Sequence, residues 1–248
     1  MERLDYIIKL VSRYQKIDVN TLSEKLQVSK VTIRKDLDKL ESKGLLHREH
    51  GYAVLNSGDD LNVRLSFHHD KKRKIAQKAV ELIHDNETII IESGSTCALL
   101  AEQICQQKRN VTIITNSYFI ADYIRSYDSC KVMLLGGEYQ KNSQVTVGPL
   151  LKEMISFFHV KKAFIGTDGF ADEEGFTGKD LMRTEVVKEM ARVAEEVVIL
   201  TDSSKFSKRG TVGQFSTAEV SLVITDNEIP IEKEELLQGQ GVRVEKVG

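Results

Sequence analysis

A chain of 248 residues with 41% hydrophobic side chains and a formal charge of -2 has an ordinary globular composition, long enough for one large domain or two smaller ones. No run approaches the ~18 consecutive apolar residues of a membrane span, and the opening MERLDYIIKLV is acidic and basic by turns, unlike a signal peptide. Cys97, Cys105 and Cys130 form no C-x-x-C pair and have no closely spaced His. This argues against a zinc site or a disulfide framework, reads all three as small buried hydrophobes, and favours a reducing, cytoplasmic compartment.

The small net charge conceals an asymmetry. Residues 1–74 carry 16 Lys and Arg against 11 Asp and Glu, and the remainder 19 against 26. A basic N-terminal part on an acidic body suggests a polyanion-binding module carried by a larger domain. Leu4, Ile7, Ile8 and Val11 recur at helical spacing among Arg3, Asp5, Lys9 and Ser12, which predicts a first amphipathic helix. Leu22 and Leu26, four apart, predict a short second helix capped near Asn20 or Thr21. After the turn QVS, Ser29 is a good N-cap for a third helix. In it Ile33, Leu37 and Leu40 share one face, and Gly44 stands where the helix should stop.

Burying that face turns Thr32, Lys35 and Lys39 outward, with Arg34 on the flank. Lys30, Thr32, Arg34 and Lys35 lie in the first two turns, the part of a recognition helix that meets base edges and phosphates. The run LLHREHGYAVL alternates on either side of His50-Gly51, a hairpin signal. Helix, short helix, turn, longer helix and hairpin is the order of a winged helix-turn-helix.

The stretch LSEKLQVSKVTIRKDLDKLESKGLLHREHGYA resembles the signature of the DeoR family of bacterial transcriptional regulators. That signature pairs an S-x-x-T-I-R-R-D-L recognition helix with a G-L-L-x-R-x-H-G-G-A wing. The resemblance implies contacts to a double-stranded DNA operator from Ser29, Lys30, Thr32, Arg34, Lys35 and Lys39, and from Arg48 and His50 on the wing. Lys35 stands where the pattern has its second Arg; lysine keeps the charge but loses the bidentate fork, so it suits phosphate grip better than guanine readout. Tyr52 stands where the wing has its second Gly.

Residues 56–72, NSGDDLNVRLSFHHDKK, are polar and lack a clear period. The expected division is therefore a DNA-binding head at 1–57, a linker at 58–72 and a body at 73–248. Arg64, Lys71 and Lys74-Ile75-Ala76 echo the family's pattern across this stretch, and His68 and His69 read as surface linker histidines rather than metal ligands. Beyond it, TIIIE (88–92), VTIIT (111–115), KVMLL (131–135), KAFIG (162–166), EVVILT (196–201) and SLVIT (221–225) read as buried strands, with helical patterns such as TCALLAEQICQQ and LMRTEVVKEMARVA between most of them. Alternation of this kind predicts an α/β body with a Rossmann-like, mostly parallel sheet.

Ligands of such sheets bind beyond the carboxyl ends of the strands. There the sequence has Ser93-Gly94-Ser95-Thr96, Asn116-Ser117, Gly136-Gly137, Asp168 within GTDG, and Lys205 within DSSK. Glycine and serine at a helix start let N–H groups and hydroxyls approach an anion, and the helix dipole favours it. A phosphate at 94–96 with Lys205, and a polyol held by Asn116 and Asp168, is a coherent site.

These landmarks also resemble the DeoR-type effector domain, which implies a fold akin to ribose-5-phosphate isomerase and a phosphorylated sugar or sugar alcohol as effector. Carried over, Ser93 to Thr96 and Lys205 hold phosphate, Asn116, Ser117, Gly136, Gly137 and Asp168 line the sugar pocket, and Glu185 lies near it. Glu92 stands where the family has Asp. The expectation is a transcriptional regulator, a repressor of a sugar or sugar-alcohol operon, working as a dimer or tetramer without metal, cofactor, membrane or catalytic residue. The alternative is an isomerase-like enzyme with a DNA-binding head, using Asp168 and Glu185 for proton transfer. Against it, the isomerase's K-G-G-G-A segment is missing and the corresponding region reads GFTGKDLMRTE.

Overall fold

A computed structural model describes residues 3–14, 16–42, 45–55 and 61–248. The chain divides into two compact units, Met1–His69 and Asp70–Gly248.

In the first unit α1 (Arg3–Tyr14), β1 (Lys16–Asp18), α2 (Val19–Leu26), α3 (Lys30–Ser42), β2 (Leu46–Glu49) and β3 (Tyr52–Leu55) follow in order. The strands form an antiparallel sheet in the order β1-β3-β2. Ile7, Ile8 and Val11 of α1, Leu22 of α2, and Ile33, Leu37 and Leu40 of α3 close on Leu46 and Ala53 of the hairpin in one apolar core. The predicted faces are therefore the buried ones. The cap of α2 is Asp18, not Asn20 or Thr21: its carboxylate accepts from the Asn20 and Thr21 N–H groups at 2.8 and 3.1 Å and from the Thr21 hydroxyl at 2.6 Å. An aspartate two residues upstream reaches N–H groups that neither of those side chains reaches on itself. Gly44, the expected helix stop, lies outside the described residues.

The stretch read as a linker holds helices. After residues 56–60, which lie outside the described residues, α4 (Leu61–Ser66) and α5 (His69–Ala79) follow. Leu61, Val63 and Leu65 are buried at a spacing of two within six residues, too short a stretch to display a helical period.

The second unit continues with β4 (Thr88–Ile91), α6 (Ser95–Gln107), β5 (Val111–Thr115), α7 (Tyr118–Tyr123), β6 (Cys130–Leu134), β7 (Glu138–Gln140), β8 (Val145–Val147), α8 (Pro149–Ile155), β9 (Val160–Ile165), β10 (Gly169–Ala171), β11 (Gly175–Gly178), α9 (Leu181–Arg192), β12 (Ala194–Leu200), β13 (Val212–Phe215), β14 (Leu222–Asp226), α10 (Ile231–Gly239) and β15 (Arg243–Val247). Seven strands build one sheet in the order β15-β14-β12-β9-β4-β5-β6, every neighbouring pair parallel. All six strands expected from the sequence belong to it. The seventh, β15, was not foreseen, because RVEKV mixes charge with its two valines at a sheet edge. Chain order runs outward from β4 through β5 and β6, then resumes beside β4 with β9. The reversal between β4 and β9 is the switch point at which a doubly wound sheet opens a crevice.

Candidate functional site

The head presents α3. Ser29 caps it, its hydroxyl accepting from the Thr32 N–H at 3.2 Å. Lys30, Arg34, Lys35 and Lys39 are exposed and Thr32 is half-buried, on the side away from Ile33, Leu37 and Leu40. Val31 is also exposed, 59%, an apolar residue in the basic first turn that the sequence reading passed over. Asp36 is buried on the inner side and takes the Arg3 guanidinium through both oxygens, at 2.6 and 3.1 Å.

The wing turn is His50-Gly51, with φ 50° and 85°, between the paired residues Glu49 and Tyr52. Two positive φ values in a two-residue loop make a hairpin turn of the I′ kind. Tyr52 is thus the first residue of the returning strand, and the turn needs no second glycine. The Lys16 ammonium lies 5.0 Å from the Tyr52 ring centre.

His50 is exposed at the tip. Arg48 is engaged with α3: its guanidinium meets Asp38 at 2.7 Å and Glu41 at 2.8 Å, and its N–H donates to Glu41 at 2.9 Å. These hydrogen bonds hold the Glu41 carboxyl below its ordinary range. The candidate head residues therefore share one helix and one wing, with Arg48 bridging them.

In the body, parallel pairing brings the predicted strand-end residues to a single edge of the sheet. In sheet order these are Gly136-Gly137 after β6, Asn116-Ser117 after β5, Ser93 to Thr96 after β4, Asp168 after β9 and Lys205 after β12. At the switch point the β4 and β9 ends touch through Glu92. Its Oε2 accepts from the Gly94 N–H at 2.7 Å and the Gly166 N–H at 3.2 Å, and its Oε1 accepts from the Ser93 hydroxyl at 2.6 Å. The longer carboxylate serves as the clasp between two loops.

Gly94 is the N-cap of α6 and has no side chain with which to cap it, while its own N–H is taken by Glu92. Ser93, Ser95 and Thr96 are buried around it. The helix thus starts at the crevice from a glycine N-cap, with its N-terminal dipole and first-turn backbone directed there.

The other candidates divide. Ser117 caps α7 by accepting from the Ile120 N–H at 3.2 Å. Gly137 is held at φ 147°, and a Cβ there would meet the Val147 carbonyl oxygen at 2.4 Å. Asp168 accepts from the Lys179 N–H at 3.2 Å. Lys205 sits on the 3-10 turn Ser203–Lys205, which Asp202 caps through the Ser204 N–H. Glu185 is on α9, where it lines an apolar pocket of about 140 Å³ with Pro149, Lys152, Met182 and Val186; none of the other candidates lines that pocket.

Three features of this unit escaped the sequence reading. Lys71 joins Asp226 at the end of β14 at 2.9 Å and Glu228 at 2.7 Å, while Asp226 accepts from the Ser203 N–H at 2.7 Å. The Gln214 side chain reaches from β13 to the Gly166 carbonyl at 2.9 Å. Cys130 is half-exposed rather than buried, because β6 ends the sheet; Ser129 bonds both the Cys105 carbonyl and the Cys130 sulfur. A hydrogen bond from Cys105 lowers the Cys130 thiol to about 7, while the same contact and burial push Cys105 up.

A winged helix-turn-helix carried by a doubly wound body with an open strand edge is the build of a transcriptional regulator. Residues 3–58 match the DeoR-like helix-turn-helix domain and residues 67–227 the DeoR C terminal sensor domain. The chain belongs to the DeoR family. It is 33% identical to the HTH-type transcriptional regulator GolR of Listeria innocua, over 92% of this chain and 91% of that one. It is 31% identical to the HTH-type transcriptional repressor GlcR of Bacillus subtilis, over 91% and 88%, and 28% identical to the L-fucose operon activator of Haemophilus influenzae, over 92% of each. Among solved structures, ribose 5-phosphate isomerase A from Methanocaldococcus jannaschii is similar over 56% of this chain and 54% of that one, at 24% identity and a TM-score of 0.41. The three sequence relatives are named as a transcriptional regulator, a transcriptional repressor and an operon activator.

Proposed function

We propose that the protein represses a sugar or sugar-alcohol operon and leaves its operator when a phosphorylated sugar occupies the crevice between β4 and β9. The glycine-capped start of α6 at the sheet's switch point carries this reading. It offers backbone N–H groups and the Ser95 and Thr96 hydroxyls to a phosphate. Lys205, Asn116, Asp168 and Gly136-Gly137 line the same edge as candidates for the rest of the ligand. Lys30, Arg34, Lys35 and Lys39 grip the duplex, with Thr32 and Arg34 placed to meet bases. Arg48 acts through its ion pairs by fixing the wing against α3, and His50 reaches the backbone at the tip.

Control is linkage: the ligand favours one arrangement of the bodies, and that arrangement spaces the heads badly for paired half-sites. The working unit is a homo-oligomer, supported by exposed Met133 and Leu134 on edge strand β6 and by Leu150, Met154 and Phe157 on and after α8. Its site of action is the cytoplasm, where operator DNA and phosphorylated sugars meet.

Fluorescence anisotropy on the promoter region beside its own gene tests the proposal. Nanomolar binding that weakens with one member of a sugar-phosphate panel is the expected result. DNA affinity indifferent to every member sinks the effector half of the reading.

A further inference from the structure

Two buried primary amides flank the end of β4, and each is half satisfied. Asn116 follows β5; its Nδ2 donates to the Thr146 carbonyl at 2.9 Å. Gln214 reaches the far side of the crevice, where its Nε2 donates to the Gly166 carbonyl at 2.9 Å, after β9. Asn116 Oδ1 and Gln214 Oε1 are buried without a hydrogen-bond partner among the described residues. The residues are 2% and 5% exposed. Because each anchoring partner is a carbonyl, which only accepts, the amide nitrogens are the ends facing the anchors and the oxygens are the ends left over.

A buried carbonyl oxygen without a donor is a desolvated group awaiting its hydrogen bond. Two of them, both acceptors, belong to Asn116, just after β5, and to Gln214 on β13, whose side chain is anchored on Gly166 at the end of β9. Fully ionised phosphate cannot satisfy them, since it brings no hydrogen; alcohol groups can. The phosphate-binding features lie between them, at the start of α6. The ends of β5, followed by Asn116, and of β9, followed by the Gly166 anchor of Gln214, are two strand spacings apart, on the order of 10 Å, so a ligand that reaches both amides carries hydroxyls at several carbons.

We infer that Gln214 is a specificity residue of the crevice, its Oε1 accepting from one hydroxyl of a phosphorylated polyol while Asn116 Oδ1 accepts from another. This rests on the sensor reading above and adds to it the requirement for hydroxyl donors on both sides of β4. A site with unpaired acceptors discriminates strongly against analogues that lack the matching hydroxyl.

The test is calorimetric titration of the full chain with inorganic phosphate, ribose 5-phosphate, 2-deoxyribose 5-phosphate, fructose 6-phosphate and sorbitol 6-phosphate. For the wild type, at least one polyol phosphate is expected to bind about tenfold or more tightly than inorganic phosphate, and the deoxy sugar to lose ground against its parent. In Gln214→Met, which keeps side-chain length and drops the acceptor, that advantage collapses while inorganic phosphate binds as before; the unchanged phosphate titration also certifies the fold. The deoxy comparison needs no variant and stands if Gln214→Met fails to fold. A Gln214→Met protein with the full wild-type preference overturns the role of Gln214 alone. A wild type that prefers none of these ligands to inorganic phosphate overturns the sensor reading along with it.

Discussion

Arg3 and Asp36 are joined by two hydrogen bonds, of 2.6 and 3.1 Å, across 33 residues of chain. The pair fastens the first turn of α1 to the inner side of the recognition helix. Burial leaves Asp36 nowhere else to place its charge. Replacing Asp36 by Ala is expected to lower the melting midpoint of the head by about 5 °C and to weaken operator binding through a loosened α3. A heat-capacity scan with no change at the head transition contradicts the fastening role.

Arg34 and Lys35 are adjacent and both exposed, yet their chemistry separates them. Arg34→Ala should cost about 1–3 kcal/mol of operator affinity and relax the choice of base at one position. Lys35→Ala should weaken binding to all sequences alike and reduce the salt slope by about one. Anisotropy titrations at several salt concentrations, on operator and scrambled DNA, distinguish these outcomes. Neither substitution should alter ligand binding.

Gly136 and Gly137 invite a paired experiment. Among the described residues a Cβ on Gly136 meets only the Met154 sulfur, at 3.5 Å, whereas one on Gly137 collides with the Val147 carbonyl in a backbone conformation that side chains avoid. Gly137→Ala is expected to destabilise the body by about 1–3 kcal/mol, and Gly136→Ala to be nearly silent. Urea midpoints measure both; equal midpoints would refute the difference.

The Lys71–Asp226 pair gives stability a pH signature. Burial works to raise the Asp226 carboxyl, but the Ser203 N–H and Lys71 outweigh it, so the group is lowered from 3.8. Its contribution is present above that unfolded value and is lost as pH falls through the folded one. Burial works to lower Lys71, yet its bonds to Glu228 and Asp226 raise it from 10.5. Its contribution is present below 10.5 and is lost as pH rises through the folded value. Lys71→Met should therefore destabilise most near neutrality, with the gap from wild type closing below about pH 4. A gap that stays constant from pH 7 to pH 3 would show that the charges are not what holds Ser203 in place.

Cys130 should be alkylated by iodoacetamide with a midpoint near its pKa of about 7. Cys105→Ala removes the hydrogen bond that stabilises the thiolate and should move that midpoint up toward about 8.5. Peptide mass mapping against pH reads the shift directly.

How far the chain could be read in advance depended on where each signal is stored. The head was legible because Ile33, Leu37 and Leu40 repeat at a helical period and Ser29 advertises its cap. The central strands were legible because runs such as TIIIE and VTIIT are apolar on both faces, as a doubly covered parallel sheet requires. What escaped was partnership across long separations. Nothing local in VGQF marks Gln214 as a neighbour of Gly166, nothing in HHDKK sends Lys71 to Asp226, and Arg48 reads as one more basic wing residue until its carboxylates on α3 are in view. Tyr52 misled in the other direction: it counts as a departure in a one-dimensional pattern, while the turn closes one residue earlier.

The bond from Glu92 to Gly166 closes a loop of 74 residues. The crevice it clasps does not exist in any shorter folded fragment, since one wall is laid down with β4 and the other only with β9. A chain still emerging from the ribosome has no place for the ligand. Occupancy therefore reports a finished sheet, and by mass action the same ligand protects that sheet from unfolding and proteolysis. On the proposed reading, the metabolite that releases the operator also lengthens the regulator's life.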